Sequence, residues 1–187
     1  MATAAGPYTI EMLDRFPRDG NRYEILDGVL IVTPAPRPAH QAVMASVGDV
    51  LRPYVRHHRL GQLWFGPADI IFDEHTRFEP DLLVALGDAA RRLRSWQDLP
   101  DPALAVEILS PSSARFDRGG KRERYLTRCA EYWIVDIEAR LVERWRAGDE
   151  RPSVHRATLE WQPVAAVEPL VVDVPALFED VPEPQEP

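Results

Sequence analysis

Lysine is almost missing from this chain of 187 residues: of its 22 basic residues only Lys121 is one, and the rest are arginine. So strong a bias reads as coding preference, yet it makes position 121 one where a compact amine can matter. An amine can orient or deprotonate a water and shift its pKa, whereas a guanidinium stays protonated. Cysteine is nearly as scarce. Cys129 alone excludes an intramolecular disulfide framework and fits a reducing, cytoplasmic compartment. No apolar run approaches the roughly 20 residues of a membrane span, so no membrane partner is expected. The start Met1-Ala2-Thr3-Ala4-Ala5-Gly6-Pro7-Tyr8 lacks the basic and apolar regions of a signal peptide. No Gly-rich phosphate loop follows the first strand, which argues against NAD and ATP. His57 and His58 are adjacent and cannot share a helix face, and no Cys/His cluster supports zinc. Ser110, Ser112 and Ser113 lack the G-x-S-x-G elbow of a serine hydrolase.

Positive charge is in deficit overall. A net charge of −8 is awkward for a nucleic-acid binder, because phosphate affinity comes from Lys and Arg displacing counterions. The acid is unevenly spread, however. From Arg115 to Arg128 there are six basic and two acidic residues, while Glu179 to Pro187 holds four acids and no base. A locally positive working face on an acidic body is the expectation, with weak or metal-dependent affinity for duplex DNA.

A composition of 45% hydrophobic and 28% charged residues is that of an ordinary globular domain, expected over residues 1–178 with a disordered acidic tail over 179–187. Ile10, Leu13 and Phe16 predict a short helix over 9–16. Asp27-Gly28 between two apolar runs predicts a β-hairpin from Arg22 to Thr33. After the proline loop 34–38, Val43, Val47, Val50, Leu51 and Tyr54 share one face of a helix over 39–57. Strands are expected at 62–65, 69–72 and 81–86, with a turn at 73–77 and a poorly ordered basic stretch over 88–101. The almost wholly apolar 103–109 reads as a strand covered on both faces. A helix over 114–129, capped by Ser112-Ser113, and a strand over 132–136 then complete a right-handed βαβ unit. An edge strand over 141–145 and marginal strands over 154–158 and 164–167 follow. The class is α/β (α+β, mixed sheet) rather than doubly wound.

Two carboxylates stand where apolar side chains belong. Glu107, between Val106 and Ile108, is buried on any strand reading, and a lone buried carboxylate costs several kcal/mol unless paired or metal-bound. A structural pair with an arginine is the alternative; metal or catalytic use is favoured. Asp81 opens Pro80-Asp81-Leu82-Leu83-Val84 and either caps a turn or lies beside Glu107 on a neighbouring strand. Two such carboxylates suit a hard cation, Mg²⁺ or Mn²⁺. Asp117, Lys121 and Tyr125 fall at i, i+4 and i+8, so their face either covers this site or lies in solvent as an Asp–Lys pair. In the second case Lys121→Ala costs well under about 1 kcal/mol; in the first it abolishes activity with the fold nearly intact. Glu24, flanked by Tyr23 and Ile25, either completes a metal shell or faces solvent. His40, at a helix start, is a surface residue or a supporting group.

These segments together resemble the Uma-two family of restriction-endonuclease-like proteins, within the PD-(D/E)XK phosphodiesterase superfamily. The resemblance runs through Tyr23-Glu24-Ile25-Leu26-Asp27-Gly28, Pro38-Ala39-His40-Gln41 and Pro80-Asp81-Leu82-Leu83-Val84. It continues in Val106-Glu107-Ile108-Leu109-Ser110-Pro111-Ser112-Ser113, in Asp117 with Lys121 and Tyr125, and in Glu131-Tyr132-Trp133-Ile134-Val135-Asp136. It covers about residues 8 to 178. It implies a restriction-endonuclease-like core, a mixed sheet flanked by helices, and a Mg²⁺-dependent endonuclease acting on DNA rather than RNA. Asp81, Glu107 and the carbonyl of Ile108 would hold the metal, with Glu24 assisting and Lys121 orienting or activating the water. The superfamily lysine would stand two residues after the second acid, at Leu109; Lys121 would be its migrated counterpart. The segment Arg128-Cys129-Ala130 also departs from the family's Gly-containing turn. The rival reading is a non-catalytic binding or assembly module that keeps the fold. A homodimer is expected on the ground that cutting two strands needs two active sites.

Overall fold

The computed structural model describes residues 6–13 and 15–181. After α1 (Ile10–Leu13), β1 (Arg22–Leu26) and β2 (Val29–Thr33) form the expected hairpin. Its two-residue turn has positive φ at both Asp27 (49°) and Gly28 (76°), the conformation whose twist matches the flanking strands. α2 (Pro38–His57) starts with proline at its first turn and buries Val43, Val47, Leu51, Tyr54 and Val55. It lies so close to β3 (Gly61–Phe65) that a Cβ on Gly48 would sit 2.2 Å from the Phe65 ring. β4 (Ile70–Asp73) and β5 (Thr76–Phe78) make a second hairpin, so the polar segment expected as a turn carries a strand. Thr76 and Phe78 are wholly buried, which is why it pairs.

β6 (Leu82–Leu86), β7 (Leu104–Ile108), β8 (Glu131–Asp136) and β9 (Leu141–Arg146) are the middle of a six-stranded sheet of order β10-β9-β8-β7-β6-β3, with β10 at Ser153–His155. β7 and β8 are its parallel pair and the rest run antiparallel. A second sheet has order β2-β1-β5-β4. The expectation of an edge strand over 141–145 is corrected: β9 is internal, covered by β10. No strand forms over 164–167. Instead β11 (Thr158–Trp161) pairs with β12 (Leu170–Asp173), because Leu159, Trp161 and Val172 alternate into the core. The 88–101 stretch is also corrected. It contains α3 (Gly87–Arg91) and a 3₁₀ turn at Trp96–Asp98, fixed by Trp96 edge-on to Trp64 and by buried Leu99.

Successive side chains of the central strands point to opposite faces, and both faces are covered. Leu82, Val84, Leu104, Val106, Trp133 and Val135 pack with α2 and the C-terminal ribbon. Leu83, Ala85, Ala105, Tyr132 and Ile134 pack under Phe78 and Tyr125. Glu107 shares this second face. Cys129 is buried there, and burial pushes its thiol up to about 12.

The expected helix over 114–129 is three short pieces: α4 (Ala114–Phe116), a π turn at Asp117–Lys121 and α5 (Arg122–Tyr125), with Gly119 (φ −109°, ψ −117°) outside helical geometry. Wide π turns recur at functional sites. Glu179–Val181 end the described chain as a turn, with Val181 against the core and its carbonyl accepting from Arg140. The rest of the expected acidic tail, 182–187, lies outside the described residues.

Candidate active site

β1, the start of β6, the end of β7 and the π turn converge on one buried cluster of charge. Strand periodicity aims Glu24 inward from β1, where it is wholly buried; its Oε1 accepts from the Glu79 N–H at 2.8 Å. Asp81 stands one residue before β6, with Oδ2 accepting from the Ile108 N–H at 2.8 Å and facing His40 Nε2 at 3.1 Å. Gly120 passes so near β1 that a Cβ there would lie 2.6 Å from Leu26 Cδ2. That approach carries Lys121 into the cluster. Its Nζ donates to Glu24 Oε2 at 2.7 Å and Glu107 Oε1 at 3.0 Å, and lies 3.5 Å from Asp117 Oδ1. The Tyr125 hydroxyl donates to Glu107 Oε1 at 2.9 Å.

All the acids singled out in the sequence therefore meet, together with His40, Lys121 and Tyr125. The solvated Asp117–Lys121 pair and the solvent-facing Glu24 are excluded by burial: Lys121 and Glu24 are 0% exposed. Ile108 reaches Asp81 through its N–H rather than its carbonyl. Sequence reasoning passed over Arg22. Its Nη1 donates to Asp81 Oδ1 at 3.0 Å and to the Glu79 carbonyl at 2.9 Å, while Nη2 is 3.9 Å from Glu107 Oε2. The signal was present, since Arg22 is two residues before Glu24 and so on the same face of β1.

Electrostatics are unbalanced. Four buried carboxylates, Glu24, Asp81, Glu107 and Asp117, face two permanent cations, Arg22 and Lys121. Burial pushes the Glu107 carboxyl up to about 8 against the pull of Lys121, and it raises Asp117 in the same way. Both Asp117 oxygens are buried without a hydrogen bond. For Asp81, burial is outweighed by the His40 hydrogen bond, Arg22 and the Ile108 N–H, so its carboxyl is held low. Burial opposes charge on Lys121, but Glu107, Glu24 and Asp117 more than restore it, and the ammonium persists.

This imbalance predicts a pH dependence. The Glu107 carboxyl is raised from 4.5 to about 8 on folding, so between those values the folded state holds more protons than the unfolded one. Stability of the protein in EDTA should therefore fall as pH rises from about 5 to about 8, by up to about 1.4 kcal/mol per pH unit per proton. Urea denaturation across that range should show the decline, and Glu107→Gln should reduce it, leaving the part that comes from Glu79, which burial raises to about 7, and from Asp117. A wild-type profile flat over the window would contradict the raised carboxyl.

The donor set fits a hard divalent cation: carboxylate oxygens, without sulfur. Among the described residues no three or more His, Cys, Asp or Glu side chains stand close enough to make a ready-built metal shell. Mg²⁺ commonly takes only one or two carboxylates and fills its shell with water and phosphate. Asp81 opens to a cleft of about 460 Å³, lined also by Arg22, His40, Ile108, Pro34 and Pro111.

Most of the arginine-rich stretch is paired or buried rather than free as the expected positive face, Arg115 being exposed beside the Phe116 ring. Arg118 pairs with Asp136 and Glu143, Arg124 with Asp27 and Asp73, and Arg128 with Asp101. Lys121 is inside the site, and Arg122 lies over the Trp145 ring.

A crystal structure of a putative nuclease belonging to DUF820 from Anabaena variabilis ATCC 29413 has the same fold. The two superpose with a TM-score of 0.75 at 20% sequence identity, covering 92% of this chain and 98% of that one. Among curated proteins none matches the chain. The family model described as Uma2, putative restriction endonuclease, matches residues 10–177. With nearly the whole fold inside that match, and the buried acids and lysine within it, the chain belongs to the Uma2 family.

Proposed function

We propose that the protein is a Mg²⁺-dependent endonuclease that hydrolyses phosphodiester bonds of DNA. The observation that carries this reading is the convergence of four buried carboxylates on two cations: fully ionised they exceed the cations by two, the charge of one divalent ion, and without it burial keeps a proton on Glu107 up to about pH 8. Asp81, Glu107 and the carbonyl of Ile108 would hold the ion. Bound there, Mg²⁺ supplies Lewis acidity toward a phosphoryl oxygen and makes a bound water more acidic. Lys121 and Tyr125 both fix Oε1 of Glu107, which leaves Oε2 directed toward Arg22. His40 and the Ile108 N–H fix Oδ2 of Asp81 in the same manner, and Oδ1 meets Arg22. Glu24 holds Lys121 in place, and the buried ammonium, shared by Glu24, Glu107 and Asp117, serves the site by fixing Glu107 rather than by touching the attacking water.

The rival, a non-catalytic module docking a partner through its basic segment, loses support from the internal pairing of Arg118, Arg124 and Arg128. The same pairing, with the net charge of −8, leaves few cations for phosphates and favours weak binding to duplex with a shallow salt dependence. Incubating the full chain with supercoiled plasmid and with a short single-stranded oligonucleotide should give cleavage in Mg²⁺ or Mn²⁺ and none in EDTA. Metal should also raise Tm, because a ligand bound only by the folded state stabilises it. Absence of both cleavage and a thermal shift at millimolar Mn²⁺ would count decisively against this function.

A further inference from the structure

Arg22 stands at the cleft in contact with Asp81, Glu24 and Glu107. It lines the cleft with His40, Asp81 and Ile108, whereas the buried Glu24, Glu107 and Lys121 do not. Its guanidinium reaches three acids at once: Nη1 to Asp81 Oδ1 at 3.0 Å, Nε to Glu24 Oε2 at 3.6 Å and Nη2 to Glu107 Oε2 at 3.9 Å. Asp81 Oδ1 and Glu107 Oε2 are also the oxygens that the other fixing groups leave aside. Those groups hold Asp81 by Oδ2 and Glu107 by Oε1. A cation that touches both carboxylates through these two oxygens has the electrostatic position of a bound metal. The side chain is 21% exposed, far more than Lys121, so it has a path toward the cleft that the lysine lacks.

We propose that Arg22 is the resident counter-cation of the unloaded site. It neutralises Asp81 and Glu107 while no divalent ion is bound, and it must swing toward the cleft for one to enter. It therefore sets the affinity of the site for metal. This rests on the reading of Asp81 and Glu107 as the metal-holding pair. A divalent ion bound by both carboxylates would lie within a few ångströms of the guanidinium in its present position. Like charges that close in a site shielded from water repel strongly, so the two cations exclude one another. Lys121 does not compete in this way, because its contacts are with Glu24 Oε2 and Glu107 Oε1.

Calorimetric titration of the EDTA-treated full chain with MnCl₂, checked by the paramagnetic resonance of free Mn²⁺, tests the proposal. If the inward arrangement makes up about 90% or more of the metal-free population, removing the guanidinium tightens binding about tenfold or more. Arg22→Gln and Arg22→Met (the latter keeps an apolar stem) should both show that gain. Arg22→Lys, which keeps the charge, should stay near wild type. Tm in EDTA should fall in the two neutral variants while the rise on adding Mn²⁺ grows; a purely structural arginine would give the fall alone. Suppose wild type binds Mn²⁺, Asp81→Asn abolishes that binding, and neither neutral variant binds more tightly. The counter-cation role is then wrong and the metal reading stands. Should wild type and both neutral variants all fail to bind at millimolar Mn²⁺, the metal reading itself fails and takes this proposal with it.

Discussion

Lys121→Ala should destabilise the protein by about 3–5 kcal/mol, the range found when one partner of a buried ion pair is removed and the other stays. The ammonium is wholly buried and is shared by Glu24, Glu107 and Asp117, so its loss strands three carboxylates in a region closed to water. Protonation offers partial relief, because burial already raises Glu107 and Asp117. The loss should therefore be larger at pH 8 than at pH 5.5, which urea denaturation at the two values would show. This overturns the expectation, formed from the sequence, of a fold left nearly intact. Lys121→Arg should not restore the wild type, since a planar, bulkier guanidinium must fit where a compact ammonium is enclosed. A loss below about 1 kcal/mol in Lys121→Ala would mean that water reaches the cluster and that the pair behaves as an exposed one.

Asp81→Asn and Glu107→Gln should each lower metal-dependent cleavage by at least about 10²–10³-fold, comparable with removing one preorganised electrostatic group from an active site. Their effects on stability should differ in sign. Glu107→Gln removes a carboxylate whose charge burial opposes, so the metal-free protein should be unchanged or more stable. Asp81→Asn weakens bonds from Arg22, His40 and the Ile108 N–H that hold its carboxyl in the charged form, and about 1–3 kcal/mol should be lost. Measuring cleavage beside Tm in EDTA separates chemistry from folding. If both variants lose stability in parallel and cleave at the wild-type rate, the two carboxylates are structural.

The sequence by itself determined the local elements and most of the residues that meet. Asp27-Gly28 specified the first hairpin, the spacing of Val43, Val47 and Leu51 specified α2, and the apolar 103–109 run announced a strand covered on both faces. Each of these signals is written in neighbouring side chains, at periods of two or of 3.6 residues. Glu107 was legible for a related reason: a carboxylate inside such a run demands a partner. Tertiary structure decided what depends on distant segments. Thr76–Phe78 pairs because β1 and β4 lie on either side of it, and β9 is internal because β10 returns to cover it. The break of the 114–125 segment into a π turn, and the depth to which Lys121 is carried, follow from the close passage of Gly120 over Leu26, some ninety positions away in the chain. The basic stretch looked like a working face because the sequence does not show that Asp27, Asp101, Asp136 and Glu143 fold against it. Charge pairing is a through-space property. Composition counts the arginines, and only the fold decides which of them a phosphate could meet.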